Sequence, residues 1–250
     1  MIGPLDFNWN DYLRRLRWFL VVLLGFWGIS LYWWLTLGYK GTFLWMNQVH
    51  WTWLDNADLY FFTHLGDGLI LPALLVLLFW RRDPAFATTA VIAVFLCGLL
   101  AVFGKLVLFP DWHRPARVFE GLPVVEIVHP HPPKSRAFPS GHATVMAAGG
   151  VFYAWFLYRW NRGLPLVVGL FTVFLCFTRV VIGVHFPADI FIGSLLGASG
   201  AVLALKYLYP VLHPRMNKLR LGHFPMLSWI ILLAMGGLIA FQFFNLLRHT

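Results

Sequence analysis

Charge is scarce in this sequence. Only 12% of its 250 residues are Asp, Glu, Lys or Arg, where a soluble domain carries roughly 25%. With 60% hydrophobic residues, 24 Phe and 13 Trp, the composition excludes a water-soluble fold and reads as an integral membrane protein. Cysteine is nearly absent. Cys97 and Cys176 both fall in apolar runs, where a thiol packs as a small apolar group, so neither a disulfide framework nor a cysteine metal site is supported. Internal repeats and low-complexity tracts are missing too, and no cleavable leader is expected. The first apolar run is too long for a signal-peptide core and is expected to stay as an anchor.

What is present is apolar length. Crossing a bilayer takes ~20 mostly apolar residues, and seven segments qualify, approximately 18–38, 61–80, 85–108, 143–160, 164–183, 190–209 and 224–247. This predicts an all-α, polytopic transmembrane helical bundle forming one domain over residues 1–250. Its core lies at about 60–209 and an extra C-terminal span at about 224–247.

The net charge of +9 is unevenly placed. One set of alternating connections and ends holds Arg14, Arg15, Arg17, Arg81, Arg82, Arg159, Arg162, Lys206, Arg215, Lys218 and Arg220, 11 of the 19 Lys and Arg. The positive-inside rule accounts for them and puts the N-terminus in the cytoplasm, leaving little reason to expect nucleic acid as a partner. Connections on this side are short, except Pro210–His223, which reads as a basic surface loop against anionic headgroups. On the other side, Tyr39–Tyr60 contains Trp45, Trp51 and Trp53 and suits an interfacial aromatic belt, with a helix along the membrane. The proline-rich stretch Phe109–Phe138 is long for a loop, and loops of that length are usually functional or disordered.

Polar residues gather on that same side. Lys105 ends the third span and Arg114 follows it. Ser140, Gly141 and His142 open the fourth, Thr178 and Arg179 lie near the end of the fifth, and His185 and Asp189 start the sixth. A charge at membrane depth costs ~2.5–3.5 kcal/mol even on lenient scales. Singly, Lys105 and Arg179 read as snorkelling side chains; as a cluster they read as a site. A guanidinium matches phosphate oxygens in a bidentate fork, and a helix start at Ser140–Gly141 offers free N–H groups to an anion. A neutral imidazole can attack phosphorus while a second ring protonates the leaving oxygen. His185 and Asp189 bracket Pro187, a residue suited to a first helical turn. Asp189 can therefore set the tautomer of His185, or it can cap the helix beside a bystander histidine.

Other candidates carry less. The crowd of cations disfavours a metal ion, and His129 and His131, the remaining metal candidates, read as residues lining an entrance. His64 and Asp67 read as helix-start capping. Glu120 and Glu126 are unfavourable beside a phosphate.

"PSGH" at Pro139–His142 and "TRVVIGVHFPAD" at Thr178–Asp189 resemble the second and third signatures of the type-2 phosphatidic acid phosphatase superfamily, the lipid phosphate phosphatases. That third signature runs Ser-Arg, five residues, His, three residues, Asp. The spacing here is identical, with Thr178 in the serine position. The first signature is Lys, six residues, Arg-Pro, whereas eight residues separate Lys105 from Arg114; a looping "FPDW" would absorb two.

The resemblance implies a six-span core and a metal-independent reaction without a cofactor. His185 would be the nucleophile that forms a phosphohistidine, Asp189 would orient it, and His142 would be the general acid. Lys105, Arg114, Ser140, Gly141 and Arg179 would bind the phosphoryl oxygens. The expected activity is hydrolysis of a lipid phosphate, of the undecaprenyl diphosphate, phosphatidylglycerophosphate, phosphatidic acid or lipid A type. It would act at the periplasmic face of a bacterial inner membrane, with the lipid substrate and the bilayer as partners. Phosphotransfer from the same site is an alternative. A lipid transporter or scramblase is another, although the repeats and interrupted midplane spans typical of transporters are not evident.

Overall fold

The computed structural model describes residues 9–48, 56–66, 70–122, 127, 133–220 and 233–241. Among these residues there are helices and no strand: α1 (Trp9–Asn47), α2 (Asn56–His64), α3 (Ile70–Phe79), α4 (Pro84–Phe103), α5 (Pro115–Val118), α6 (Gly141–Leu157), α7 (Leu164–Val181) and α8 (Pro187–Arg220). A π-helical turn, Gly104–Leu108, extends α4. The all-helical expectation holds. By length and composition, α1, α4 with its π turn, α7 and α8 can each cross a membrane.

Helix α4 has a start that the sequence explains. Asp83 caps α4 by accepting the Phe86 N–H at 2.9 Å, and Pro84 fills the first helical position, where its missing N–H costs nothing. The other carboxylate oxygen of Asp83 accepts from the Tyr209 hydroxyl at 2.7 Å, which ties the start of α4 to the far end of α8.

Three expectations about spans need correction. The predicted second span, 61–80, is two helices: α2 stops at His64 and α3 begins at Ile70. Gly66 falls in the break, and glycine is a poor helix former. The predicted fourth span shifts and shortens to the 17 residues of α6. The predicted basic loop at 210–223 is instead helical as far as Arg220, through Pro210 and Pro214. Each proline removes one backbone N–H, but the two stand four residues apart on one helix face and both are exposed. Tyr209, 2% exposed, meanwhile holds the opposite face in the core.

Within the predicted last span, residues 233–241 are helical. Met235 and Leu238 share a hollow of about 200 Å³ with Pro72, Val91 and Phe95, so this segment lies against α3 and α4. The remainder of that span is outside the described residues.

Packing sorts the two ends of the bundle. At one end Phe86, Trp155 and Tyr209 form an aromatic cluster. Guanidinium groups cover this end: Arg15 lies over Trp155 at 4.8 Å, Arg82 over Trp160 at 5.2 Å and Arg159 over Phe156 at 3.8 Å. The other end, where α4 and α7 finish and α6 and α8 begin, receives every candidate site residue.

Two glycines of α8 set how closely α6 and α8 approach there. A Cβ at Gly193 would stand 2.5 Å from the Ser140 carbonyl oxygen, and one at Gly197 would overlap the Thr144 carbonyl oxygen. Gly197→Ala is therefore expected to destabilise the protein by about 1–3 kcal/mol, the scale of overpacking, read as a lower unfolding temperature in detergent. Wild-type stability in that variant would contradict the close approach.

Candidate active site

His185 is placed by the end of α7 and the start of α8. Helix α7 closes at Ile182, and Gly183 follows at φ 78°, a left-handed conformation natural to glycine past a helix end. The Gly183 N–H donates to Val180 O at 3.0 Å, and the N–H groups of Val184 and His185 both donate to Arg179 O at 3.1 Å. The chain folds back on itself, leaving His185 only 1% exposed.

Helix α8 then starts at Pro187 with Asp189 in its first turn. Asp189 Oδ2 accepts the Phe186 N–H at 2.9 Å and faces His185 Nδ1 at 3.1 Å. A carboxylate reaching back to the N–H that precedes its helix is half of a capping box. Capping the helix and orienting the histidine are thus done by the same oxygen.

The neighbours of His185 agree on its tautomer. Asp189 Oδ2 on one side needs a donor, so the imidazole proton sits on Nδ1. On the other side Arg114 Nη1, always a donor, lies 3.3 Å from Nε2, which fits a lone pair there. Burial first, then Arg114, Lys105 and Arg179, hold the His185 imidazole well below its ordinary 6.5.

Each cation arrives by its own route. Arg114 Nη1 also donates to Val184 O at 3.1 Å, and its Nε donates to Ser135 O at 3.1 Å. The loop around it is laid along the segment leading into α6 by Arg114 N–H to Lys134 O at 3.1 Å and Ala137 N–H to Trp112 O at 2.8 Å. Arg179 is buried and donates from Nη1 to Thr63 Oγ1 at 2.7 Å. Lys105 sits in the π turn, which closes with Phe109 N–H to Gly104 O at 2.9 Å. The Lys105 Nζ lies 3.5 Å from where a Gly141 Cβ would stand, so the ammonium is at the N-terminus of α6.

The long Lys105–Arg114 spacing has its place here. A π turn takes up more residues per turn than an α-helix, and a second turn, Trp112 N–H to Phe109 O at 3.3 Å, follows.

The start of α6 completes the cluster. Ser140 caps it by accepting the Ala143 N–H at 3.4 Å, and its own N–H donates to Asp189 O at 3.0 Å. His142 lies within electrostatic reach of Arg179, Lys105, His64 and Arg114, and His185 within reach of His142 and the same three cations. The structure therefore brings together all eight expected residues. Ser140, Arg179, His185 and Asp189 are buried and form a floor; Lys105, Arg114, Gly141 and His142 keep partial exposure and form a mouth.

Two residues join that the sequence did not single out, and His64, expected as a helix-start cap, is instead the last residue of α2 and joins as a third. Tyr39 donates its hydroxyl to Asp189 Oδ1 at 2.7 Å, Thr63 holds Arg179, and His64 stands near His142. Gly38, directly before Tyr39, was the only signal for the first, and Thr63 carried none. Glu120 pairs with Lys134 at 2.6 Å, both exposed. Asp67, Glu126, His129, His131, Trp51 and Trp53 lie outside the described residues. Among the described residues, no three His, Cys, Asp or Glu converge to hold a metal ion.

The sequence profile of the PAP2 superfamily matches residues 85–212, just over half the chain. The chain belongs to the PAP2 superfamily. An undecaprenyl-diphosphatase of Sulfolobus acidocaldarius is 26% identical over 144 residues, 57% of this chain and 66% of the relative. This chain thus spans about 66% of that relative's length. The crystal structure of Aquifex aeolicus LpxE superposes with a TM-score of 0.56 at 26% identity, covering 66% of this chain and 93% of that one. The PAP2 match contains all eight expected site residues and leaves α1, α2 and α3 outside it.

The state of His185 is directly measurable. Nuclear magnetic resonance titration of selectively labelled histidine is expected to give a midpoint well below 6.5, and Arg114→Gln should move it upward by removing a neighbouring cation. The unfolded chain binds this proton below about 6.5 and the folded one does not. His185 therefore lowers stability as pH falls below that value. A midpoint at or above 6.5 would contradict the arrangement.

Proposed function

We propose that this protein is a membrane phosphatase that hydrolyses a lipid phosphate through a phosphohistidine on His185. The observation that carries this reading is the His185 ring itself. Its Nδ1–H is fixed by a buried carboxylate, and its Nε2 lone pair is turned toward a guanidinium that an incoming phosphoryl group would share. Superfamily membership and the name of the Sulfolobus relative support it.

The chemistry follows from the placement. Nε2 attacks phosphorus and a P–N bond forms as the P–O bond to the leaving group breaks. His142 supplies the proton that the leaving oxygen takes up. Water then enters, His142 removes its proton, the P–N bond breaks, and phosphate departs from a neutral His185. Lys105, Arg114, Arg179 and the N–H groups opening α6 meet the negative oxygens. Preorganised donors of this kind are usually the largest catalytic term. The bound phosphate offsets the positive field of those cations, which lets His142 hold the proton it must deliver. All of the charge is met by side chains and backbone, so a chelator such as EDTA is expected to leave the rate unchanged.

A hollow of about 290 Å³ supports a lipid as the substrate. It is lined by Leu65, Leu71, Met146, Tyr153, Phe171 and Leu175 among others. Met146 lies one turn beyond His142, Leu175 one turn before Arg179, and Leu65 next to His64. The hollow reaches Leu157, roughly 16 Å along α6 at 1.5 Å per residue. A hydrocarbon chain in this furrow would leave its phosphate at the mouth of the site. Undecaprenyl diphosphate is the first candidate, ahead of lipid A, phosphatidylglycerophosphate and phosphatidic acid. The basic residues at the opposite end of the bundle favour a cytoplasmic N-terminus and a site at the periplasmic face of the inner membrane.

The test is phosphate release by the purified protein from these four lipids in detergent micelles. His185→Ala is expected to lower kcat by several orders of magnitude, as loss of a nucleophile does, while the protein still inserts and folds. Retained turnover would remove the nucleophile assignment. His142→Ala should slow substrates with poor leaving groups most, and equal losses across leaving groups would argue against its role as acid. Label appearing in a second lipid, instead of as free phosphate, would make the protein a phosphotransferase.

A further inference from the structure

We infer that the short helical segment after the Gly38 break, Tyr39–Asn47, positions the His185 loop, with Tyr39 acting on His185 through Asp189. The inference rests on the phosphatase reading and concerns a part of the chain that the superfamily match does not include.

Helix α1 is interrupted at Gly38, which has φ 71° and ψ 178°, a conformation open to glycine and costly to other residues. The Thr42 hydroxyl bonds across the break, to Gly38 O at 2.7 Å and Trp33 O at 2.9 Å. The change of direction delivers Tyr39 to the site. Its hydroxyl donates to Asp189 Oδ1 at 2.7 Å. Its ring stacks on Phe186 at 4.2 Å between centroids and meets Trp112 edge-on at 5.4 Å. One turn on, Phe43 packs against Phe119 and Phe186.

At the far end of the segment, Asn47 Nδ2 donates to Val180 O at 3.1 Å and Val181 O at 3.0 Å. These carbonyls lie at the C-terminus of α7, where the last turn leaves acceptors only partly used; Val180 O also takes the Gly183 N–H. The turn carrying His185 is therefore tied on both flanks to one piece of α1, at the end of α7 by Asn47 and at the start of α8 by Tyr39.

The division of labour on Asp189 makes Tyr39 the decisive tie. Oδ2 serves His185 and Phe186, while Oδ1 is served by Tyr39. Asp189 has 0% exposure, so water does not readily replace a lost donor. Without the phenol, the carboxylate is free to rotate between its two oxygens, and the Nδ1–H bond that turns Nε2 outward loosens. Tyr39 touches neither substrate nor reacting atoms; it is a positioning residue.

Tyr39→Phe keeps both ring contacts and deletes only the hydroxyl. Phosphate release from undecaprenyl diphosphate, phosphatidic acid and lipid A in detergent micelles is the readout, with wild-type protein alongside. The expected result is a loss of about tenfold or more in kcat, the scale of a hydrogen bond to a charged group, with KM and unfolding temperature unchanged. In an Asp189→Asn background, followed by single-turnover labelling of His185, the same substitution should have no further effect.

An unchanged kcat in Tyr39→Phe would overturn the inference, and so would equal, additive losses in the two backgrounds. A fall in unfolding temperature that accounts for the lost activity would also overturn it, in favour of a structural role. Wild-type protein that releases phosphate from none of the lipids would overturn the phosphatase reading itself, a different failure from an active wild type with an indifferent Tyr39.

Discussion

Asp189 has no exposure, and the candidate site is organised around satisfying its oxygens. Burying an ion costs several kcal/mol unless partners replace its water. Here the replacements come from three directions: the Tyr39 hydroxyl from α1, the Phe186 N–H from its own helix start, and His185 Nδ1 from the preceding turn. Its backbone oxygen meanwhile accepts the Ser140 N–H that opens α6. One residue thus fixes where α1, α6 and α8 meet, and the geometry of the histidine is a by-product of satisfying the acid.

The rest of the bundle can be apolar because polar work is confined to helix ends. A helix interior satisfies its own backbone groups and needs none from lipid, but its termini leave donors and acceptors free. This chain brings the ends of α4 and α7 and the starts of α6 and α8 to one level. Free N–H groups, turn carbonyls and charged side chains then answer one another. The glycines at 193 and 197 make this convergence tight, because they let α8 lie on the backbone of α6 within the first turns of both helices. The guanidinium groups at the opposite end rest on aromatic faces, so the two positive regions have different environments. One lies in the open over rings; the other is folded into a cleft.

How much of this was legible in the sequence follows from the range of each interaction. The histidine, the acid and the arginine of "TRVVIGVHFPAD" act over ten residues, so their spacing alone carried their relation. The cap at Ser140 is equally local. Tyr39 and Thr63 bond to residues 150 and 116 positions away, and a lone hydroxyl in an apolar stretch has no pattern that announces a distant partner. The bounds of the second span differ for a related reason. Hydropathy sums over "FFTHLGDGLILP" without registering that one helix ends at His64 before another begins at Ile70. It likewise read Pro210 and Pro214 as a loop, when tertiary contacts at Tyr209 hold the helix through both.

The eight residues between Lys105 and Arg114 show why spacing is a weaker guide where two elements are held separately. Lys105 is carried by α4 and its π turn, which set its ammonium beside Gly141 at the α6 N-terminus. Arg114 is carried by pairing with residues 134–137 and by the Val184 carbonyl. Each cation has a complete set of its own constraints, and the chain between them only has to be long enough. Closing a somewhat longer loop costs a fraction of a kcal/mol, so two additional residues are absorbed locally without moving either charge. His185 and Asp189 have no such freedom, because a single turn of helix joins them and their contact is made through it. Spacing should therefore be strict within the His185 loop and loose before Arg114, which is the pattern this sequence displays.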